Sequence, residues 1–565
     1  MCMKKFLSVF LSAVLLLSCF GSFAVAADAP LVVSVANDLH FDPEIVTTPV
    51  TKHNNVNPDF FHAGHGGQMP EESVALLHAY LALAETDECD IVLLPGDITN
   101  DGMIEQHTVL ASLLAEFEAK SGKQVFVIPG NHDLFNTSAE EFGQIYTDFG
   151  YAAAIARDSQ SASYVSELNG EYRLLAIDST NPGQSSHGMN AERAEWVRQQ
   201  CVKAKEDGKK LIAMMHHNLT DHFVFAKQLH PTAIVEGDVA LAEILATNGV
   251  KYIFTGHTHD HDIANYTAED GSVIYDVVTG SMFCYPCPYR IVTFSDDVKF
   301  ETRRVTSVDT VLLPPGITET ALALAATDMT AYSKICTWIG MRSTVLSYTK
   351  TASVLKLMKL DKETDAQMYD IMTRVLDKAN EVIVWPFYEK DAEDGEMSIE
   401  SYLGQYDISI PASDYADLVD LAVEIYQAEV VGDENFQGYS PEVMLVTRGL
   451  AAVLHYALAD VSAEEFAAVL AFVTNLLGYD VNEDLLRYAG DAISRMRGLE
   501  LVLMTVAMPL VCEFTIDNAP ADSNVTLPGY DDDTTADNLS FFAQIINFLK
   551  SIYNALMTFF AHFFG

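Results

Sequence analysis

Residues 251–259, Lys-Tyr-Ile-Phe-Thr-Gly-His-Thr-His, join a short apolar run to a glycine and two histidines. The apolar run over 251–255 has the length and composition of a buried β-strand. His257 and His259 stand one residue apart in the loop that follows it, so each imidazole can face a separate metal position. A strand that ends in a metal-binding loop is the unit that decides the fold of the first half of this chain.

The same unit occurs four more times upstream. The apolar runs are Leu31–Ala36, Ile91–Pro95, Val125–Pro129 and Leu211–Met215. The loops after them are Asp38-Leu39-His40, Gly96-Asp97-Ile98-Thr99-Asn100, Gly130-Asn131-His132-Asp133 and His216-His217-Asn218. In an open α/β sheet, the loops beyond the carboxyl ends of the strands meet in one crevice. Carboxylate, amide and imidazole groups that meet there predict a site for two divalent ions, of Fe, Mn or Zn.

Each loop alone has an ordinary explanation, since Asp38 or Asp97 could cap a helix and Gly130-Asn131 could form a turn. Together and in order, they resemble the motif of the calcineurin-like metallophosphoesterases: DxH, GDxx, GNH(D/E), H and GHxH. The resemblance covers residues 38–259 and implies an α/β fold, a metallophosphoesterase-type β-sandwich flanked by helices (αββα), within residues 27–310.

The resemblance also implies the ligand set. One metal would be bound by Asp38, His40 and His259. The other would be bound by Asn131, His216 and His257, and Asp97 would bridge the two. His216 is chosen over His217 because it comes first after its strand.

This ligand set predicts phosphate-ester hydrolysis. Neutral Asn and His ligands leave the ion pair positively charged, which suits a phosphate and lowers the pKa of a bridging water. We therefore expect metal-activated hydroxide to attack phosphorus in line. His132 is expected to bind the phosphoryl oxygens or to protonate the leaving alkoxide. Asp133 is expected to orient His132.

Further segments resemble secreted bacterial phosphodiesterases of the cyclic-nucleotide type, some of which carry a helical C-terminal domain. They include Pro95–Gly102, Phe126–Pro129 and Phe149-Gly150-Tyr151. They favour a small phosphodiester as substrate. A phosphomonoesterase or nucleotidase is an open alternative, and so is a cell-surface interaction protein whose phosphoesterase domain is incidental.

Candidate substrate contacts lie outside the metal motifs. The segment from Pro43 to Pro70 contains His53, His62 and His65, and it could recognise substrate at the crevice rim or be a surface excursion. Arg290 could bind phosphate, or it could be paired within a strand.

The chain of 565 residues exceeds the size of a single core, about 250 to 300 residues. After a break at Leu312–Gly316, residues 316–512 show helical periodicity, and they predict a mainly α-helical second domain. Ser440-Pro441-Glu442 is a helix start, and Ser462 with Glu465 forms a capping box. Residues 513–540 are predicted to be an acidic linker.

Both ends of the sequence carry further signals. Lys4 and Lys5 precede the apolar run Phe6–Phe20, and Ala24-Val25-Ala26 offers a cleavage site, so residues 1–26 are predicted to be a signal peptide. A secreted or extracytoplasmic protein is expected. A lipoprotein attached to the cell surface through Cys19 is the alternative. Residues 541–565 predict an amphipathic helix for membrane-interface contact, self-association or docking on the helical domain.

The formal net charge of −46 makes binding to nucleic acid polymers unexpected. A small phosphate ester is also an anion, so local metal charge has to attract it against the field of the whole chain. Of eight cysteines, Cys2 and Cys19 fall in the signal peptide. The remaining six are too sparse for a disulfide framework, and Cys284 and Cys287 could be bridged or be two buried thiols.

Overall fold

The computed structural model describes residues 30–54, 56–180, 188–222, 232–393, 395–432, 436, 440–476 and 520–530. The predicted signal peptide and the predicted C-terminal helix lie outside these ranges, and so do residues 477–512 of the predicted helical domain. Within these ranges, no helix has both the length and the apolar character that are needed to cross a membrane.

The described residues form two β-sheets and a series of α-helices. The strands are β1 Leu31–Val35, β2 Ile91–Pro95, β3 Gln124–Ile128, β4 Ala156–Arg157, β5 Tyr164–Glu167, β6 Tyr172–Ile177, β7 Lys210–Met215, β8 Tyr252–Thr255, β9 Ile263–Thr267, β10 Val273–Val278, β11 Pro288–Phe294, β12 Val298–Arg304 and β13 Asn524–Leu527. The helices that accompany the sheets are α1 Ser73–Thr86, α2 Ile104–Ser121, α3 Ala139–Ile145, α4 Ala191–Glu206 and α5 Asp238–Thr247.

The order of strands is β13-β12-β11-β1-β2-β3 in the first sheet and β4-β5-β6-β7-β8-β10-β9 in the second. Strands β1, β2 and β3 run parallel, and so do β6, β7, β8 and β10. Strands β11, β12 and β13 of the first sheet and β4, β5 and β9 of the second pair antiparallel with their neighbours. The strands that carry the five motifs thus belong to the parallel parts of the two sheets.

The two sheets pack face to face. Side chains alternate along each strand, so every second residue points into the core between the sheets. Leu174 and Ala176 of β6 belong to the core shared with the first sheet, whereas Leu175 and Ile177 point to the opposite face. That outer face packs on α4 and α5, and helices α1 and α2 pack on the first sheet. The result is the αββα sandwich that the family resemblance implied. All five predicted strands are present, with ends within one or two residues of the prediction.

Residues after the sandwich are helical, as predicted. The helices are α6 Glu319–Ala325, α7 Met329–Tyr348, α8 Thr351–Leu357, α9 Ala366–Val382, α10 Ile399–Gly404, α11 Leu418–Glu429, α12 Pro441–Leu458 and α13 Ala463–Leu476. Ser440 accepts a hydrogen bond from Val443 N at the start of α12, and Ser462 forms the predicted capping box with Glu465. Both predicted helix starts are therefore confirmed.

The helical region does not begin where the sandwich core ends. Tyr332, Cys336 and Ile339 of α7 are buried in the same apolar core as the sheets. On its other side α7 meets α11, where Arg342 pairs with Asp417 and the Trp338 indole donates to Asp420. Helix α7 thus joins the two parts of the molecule.

Strand β13 was not expected from the sequence. It pairs antiparallel with β12, with Val298 opposite Leu527, and forms one edge of the first sheet. It lies inside the predicted linker 513–540, so that prediction is wrong for residues 524–527. The alternation of Val525 and Leu527 is too short to distinguish a strand from a polar loop without its partner.

Candidate metal centre

The ends of β1, β2, β3, β7 and β8 meet at one edge of the sandwich and bring the five motif loops together. Asp38, His40 and His259 form one cluster, in which one ligand atom from each lies within 4.8 Å of the others. His259 Nε2 is 3.6 Å from Asp38 Oδ1, and His40 Nε2 is 4.0 Å from the same oxygen. These are the three residues predicted for the first metal.

The second predicted trio lies on the other side of Asp97. His216 Nε2 is 3.1 Å from Asn131 Oδ1 and 3.2 Å from His257 Nδ1. Asp97 reaches both groups, because its Oδ2 lies 3.1 Å from His216 Nε2 and 3.9 Å from His40 Nε2. A single carboxylate thus lies between two sets of ligands, which is the position that a bridging ligand requires.

The backbone at this edge adopts conformations that L-residues rarely take. Five of the seven predicted ligands have positive φ: Asp38 50°, His40 42°, Asp97 45°, His257 71° and His259 66°. Such conformations cost roughly 1–3 kcal/mol each and persist where the surrounding fold enforces them, most often at functional sites. The strain therefore marks this edge as a functional site.

Two motif glycines are required by side-chain contact. A Cβ at Gly130 would collide with the carboxylate of Asp97, and a Cβ at Gly256 would collide with the carboxylate of Asp38. Neither glycine has a positive φ. Close approach of a carboxylate, rather than backbone freedom, is thus the physical reason for glycine in these loops.

Burial and charge determine protonation in the centre. Burial alone would raise the pKa of Asp97, but the neighbouring His216 and His40 hold the pKa of its carboxyl well below the usual value. Burial lowers the pKa of His40 to about 3. Burial also opposes protonation of His216, but Asp97 outweighs it and raises the pKa of His216 to about 9.

The donor set fits two divalent ions. Both ring nitrogens of His40 are buried and, among the described residues, have no hydrogen-bond partner. A buried imidazole without partners is costly unless a ligand satisfies it. Carboxylate, amide and imidazole donors in two adjacent sets suit ions of intermediate softness.

Residues 31–261 match the family model described as calcineurin-like phosphoesterase. This region is similar to calcineurin-like phosphoesterases, and we call it the phosphoesterase domain. This match covers the sandwich strands up to β8 and all five motif loops, and it leaves the helical region outside.

Several curated proteins are similar to part of this phosphoesterase domain. A probable glycerophosphodiester phosphodiesterase, GpdQ, of Arcobacter nitrofigilis is 29% identical over 128 residues, which are 23% of this chain and 41% of that protein. A probable cyclic nucleotide phosphodiesterase of Rhodococcus erythropolis is 24% identical over 185 residues, 33% of this chain and 56% of that protein. The 3',5'-cyclic adenosine monophosphate phosphodiesterase CpdA of Haemophilus influenzae is 26% identical over 176 residues, 31% and 56% of the two chains. The similarity thus spans about half of each relative.

Solved structures resemble about half of the chain. A dimetal phosphatase from Danio rerio has a TM-score of 0.36 and 12% identity, and the match covers 49% of this chain and 97% of that one. A purple acid phosphatase from yellow lupin has a TM-score of 0.34 and 14% identity, with 50% and 52% covered.

His132 and Asp133 lie in the loop after β3 of the phosphoesterase domain, but not in the predicted relation. His132 Nδ1 donates to the carbonyl oxygen of Asn100 at 2.6 Å, and its ring lies 4.6 Å from that of His40. The carboxylate of Asp133 accepts from Thr99 N and Oγ1 and from Gly130 N. Asp133 therefore ties two motif loops together, and the Asn100 carbonyl orients His132.

His217 is also part of the cluster around the second trio. Its ring lies 4.5 Å from that of His257, and its Nδ1 shares a hydrogen bond of 2.8 Å with Ser179 Oγ. His216 is the one of the two that contacts both Asp97 and Asn131. This geometry favours the choice of His216 made from the sequence.

Supporting residues of the centre were missed by sequence reasoning. Asn37 donates to the carbonyl of Thr255, Asn218 donates to Gly256 O, and Ser281 Oγ donates to Asp38 O. Phe283 stacks on His40 with ring centroids 4.4 Å apart. Asn37 directly precedes one predicted motif loop and Asn218 lies in another, so their positions in the sequence could have indicated a role at the centre. Ser281 and Phe283 lie far from the motifs in sequence, and nothing in the sequence indicated their role.

The predicted substrate contacts lie away from the trios. Arg290 is fully buried in β11 and donates to the carbonyls of Val278 and Asp522, so it is not presented to the crevice. His62 is buried against Tyr332 and Glu72, with Nε2 2.9 Å from Tyr332 Oη. His53 and His65 meet each other and Glu71 in a separate cluster. Cys284 and Cys287 are buried free thiols.

Proposed function

We propose that this chain is a metal-dependent phosphoric ester hydrolase. The observation that carries the proposal is the position of Asp97 between two sets of ligands, 3.1 Å from His216 and 3.9 Å from His40. Asp38, His40 and His259 would hold one ion, and Asn131, His216 and His257 the other. Bound divalent ions at such a site polarise phosphoryl oxygens and make water a stronger nucleophile at neutral pH.

His132 is the residue of this chain that would move a proton. Its Nδ1 is held by the Asn100 carbonyl, so the neutral ring carries its proton on Nδ1 and leaves Nε2 for the substrate. Protonated at both nitrogens, the same ring could donate from Nε2 to a phosphoryl oxygen or to the leaving alkoxide. The carbonyl keeps the ring in one orientation through both states.

A small phosphodiester, cyclic or linear, is the proposed substrate class, with a phosphomonoester as the alternative. The phosphodiesterase names of the similar proteins support the diester. The protein is proposed to act outside the cytoplasm, because of its charged and apolar amino-terminal segment. The segment 541–565 is proposed to contact a membrane interface or a second copy.

A turnover screen tests the activity. The chain from Ala27 onward would be assayed with Mn, Zn or Fe on bis-p-nitrophenyl phosphate, p-nitrophenyl phosphate and cyclic nucleotides. Faster turnover of the diesters supports the proposal, whereas a clear preference for p-nitrophenyl phosphate favours the monoesterase. Asp97→Ala and Asn131→Ala should each abolish turnover and lower metal content. Unchanged activity in both variants would sink the assignment.

A cell-surface interaction protein is the alternative from another class. The helical region has a core of its own, formed by residues such as Leu403, Leu421 and Leu445, and this observation favours a separate role for it. Surface attachment that survives Asp97→Ala, in a chain that hydrolyses none of the esters at any metal supplied, would favour this alternative.

A further inference from the structure

The segment 51–71, called here the histidine loop, contains a second group of potential metal ligands. His53, His65 and Glu71 each offer a ligand atom, and these atoms lie within 4.8 Å of one another. They share no residue with the candidate metal centre, and the phosphoesterase motifs do not include them. We propose that the histidine loop binds one further divalent ion, of which Zn²⁺ is the best match, through His53, His65 and Glu71.

The donor chemistry favours zinc. Two imidazoles and one carboxylate are a common three-ligand set for Zn²⁺, with water in the fourth position. Bonds of about 2.0–2.2 Å in a tetrahedron place neighbouring ligand atoms about 3.4 Å apart. His65 Nε2 and Glu71 Oε1 are 3.3 Å apart, and the rings of His53 and His65 meet edge to face at 4.6 Å. The third ligand atom, on His53, lies within 4.8 Å of both.

The backbone of the histidine loop holds these side chains together. His53 N donates to Phe61 O at 2.8 Å, and the Asn54 amide donates to the carbonyls of Phe61 and Ala63. A Cβ at Gly64 would lie 2.9 Å from His53 Cβ, so glycine there lets the His53 side chain lie across the chain toward His65. The loop is thus folded around the cluster by contacts outside it.

The burial of Glu71, the exposure of His53 and the hydrogen-bond partner of His53 are also consistent with a bound ion. Glu71 is buried, with 7% of its surface exposed, and it lies beside Glu72, which is 1% exposed. His53 is exposed, so an ion can enter from solvent. Thr51 Oγ1 is 2.8 Å from His53 Nε2, and a partner of this kind on one ring nitrogen commonly orients a ligating histidine.

The histidine loop, which the ion would brace, contacts two other parts of the molecule: the helical region and the residues next to the candidate metal centre. Gly67 O accepts from Thr337 Oγ1 of α7, which ties the loop to the helical region. Gln68 forms an isolated antiparallel β-bridge with Cys284, and Met69 N donates a hydrogen bond to Phe283 O. Phe283 stacks on His40 of the candidate metal centre. By holding the loop, the ion would limit the motion of Phe283, which packs on the candidate metal centre. The ion itself would share no ligand with that centre.

The metal content of variants tests the proposal, independently of the proposed activity. Wild type, His53→Ala and Glu71→Gln would be dialysed against Zn²⁺, and the zinc per chain would be measured by mass spectrometry. Each variant should contain one zinc fewer than wild type, whatever the occupancy of the other centre. His78→Ala on α1, which removes a partly buried histidine outside the cluster, is the matched control and should keep the wild-type content.

Two further measurements make the result decisive. Cobalt substitution should give tetrahedral visible absorption that is weaker in His53→Ala than in His78→Ala. Thr51→Val, which removes only the orienting hydroxyl, should weaken zinc binding about 10–100-fold, and loss of a ligand should weaken it more. Because His53 is exposed, its truncation leaves the core intact, as circular dichroism would show. Equal zinc in wild type, His53→Ala and Glu71→Gln would overturn the proposal and leave a hydrogen-bonded loop.

Discussion

The candidate metal centre and the histidine loop use similar side chains on different backbones. In the centre, five non-glycine residues hold left-handed conformations that the sandwich enforces. In the histidine loop, the left-handed residues are the glycines Gly66 and Gly67, which adopt them without strain, and two of the three ligand side chains are at least partly exposed. The fold therefore fixes the ligands of the centre through a strained backbone, whereas in the loop an unstrained, hydrogen-bonded backbone leaves the final placing of the ligand side chains to the ion.

A large loss of both activity and bound metal should come from crowding a ligand of the centre. Gly256→Ala places a methyl group against the Asp38 carboxylate, and Gly130→Ala places one against that of Asp97. Each should lower turnover by at least about 100-fold, since small displacements of positioned groups have effects of this size. Kinetics and metal analysis would measure the loss.

Gly170→Ala is the control for these variants, because nothing lies within 4 Å of its Cβ position. It should be as active as wild type. Full activity of Gly256→Ala and Gly130→Ala would contradict the view that the centre tolerates no displacement.

His132→Ala should lower kcat by about 10²–10⁴-fold, the contribution of a positioned general acid. The metal content should be unchanged, because His132 lies beside the ligands and its proposed role is proton transfer. A parallel loss of metal would reassign His132 to the ligand set. A pH–rate profile of the variant would show whether one ionisation has disappeared.

A third histidine–carboxylate cluster differs from both regions because its groups are already paired. His222 is buried between Asp262 and Asp276, with Nε2 3.0 Å from Asp276 Oδ2. The same carboxylate accepts from Leu219 N and Thr220 N. His222→Gln should lower the free energy of unfolding by about 3–5 kcal/mol, because it leaves buried charge uncompensated. Its metal content should equal that of wild type.

The effect of His222 should depend on pH. Burial opposes its charge, but Asp276 and Asp262 raise the pKa of His222 to about 10, above the usual value of 6.5. A raised pKa stabilises the fold fully below about 6.5, and this contribution is lost as the pH rises toward 10. The difference in Tm between wild type and His222→Gln should therefore shrink over that interval. A constant difference would show that packing, not charge, dominates.

The smallest effect is expected in the histidine loop without metal. His65 is about one-third exposed, and partly exposed ion pairs contribute about 0.2–1 kcal/mol. His65→Gln should change the free energy of unfolding of the metal-free protein by less than about 1 kcal/mol. With Zn²⁺ present the loss of stability in the variant should be larger, because only the wild type binds the additional zinc ion of the histidine loop. Chemical denaturation in chelator and in zinc would separate the two cases.

The sequence predicted what depends on local patterns. Apolar runs indicated β1, β2, β3, β7 and β8, and the polar loops after them supplied the residues that meet at the sandwich edge. Contacts between distant segments had no local signal. Only the folded structure could reveal three such contacts: the stacking of Phe283 on His40, the hydrogen bond from Arg290 to the Asp522 carbonyl, and the pairing of β13 with β12. The role of Asp133 was mistaken because a neighbour in sequence was assumed to be the neighbour in space.

Strand β13 has a consequence for the order in which the molecule can assemble. Lys251 Nζ and Tyr252 Oη, at the start of β8, donate to Gly529 O and Pro528 O, 278 and 276 residues further along the chain. During synthesis the first sheet would remain open along β12 until residue 527 emerges, and an open strand edge is prone to pair with other chains. The edge of the first sheet is thus covered only after nearly the whole polypeptide has been made.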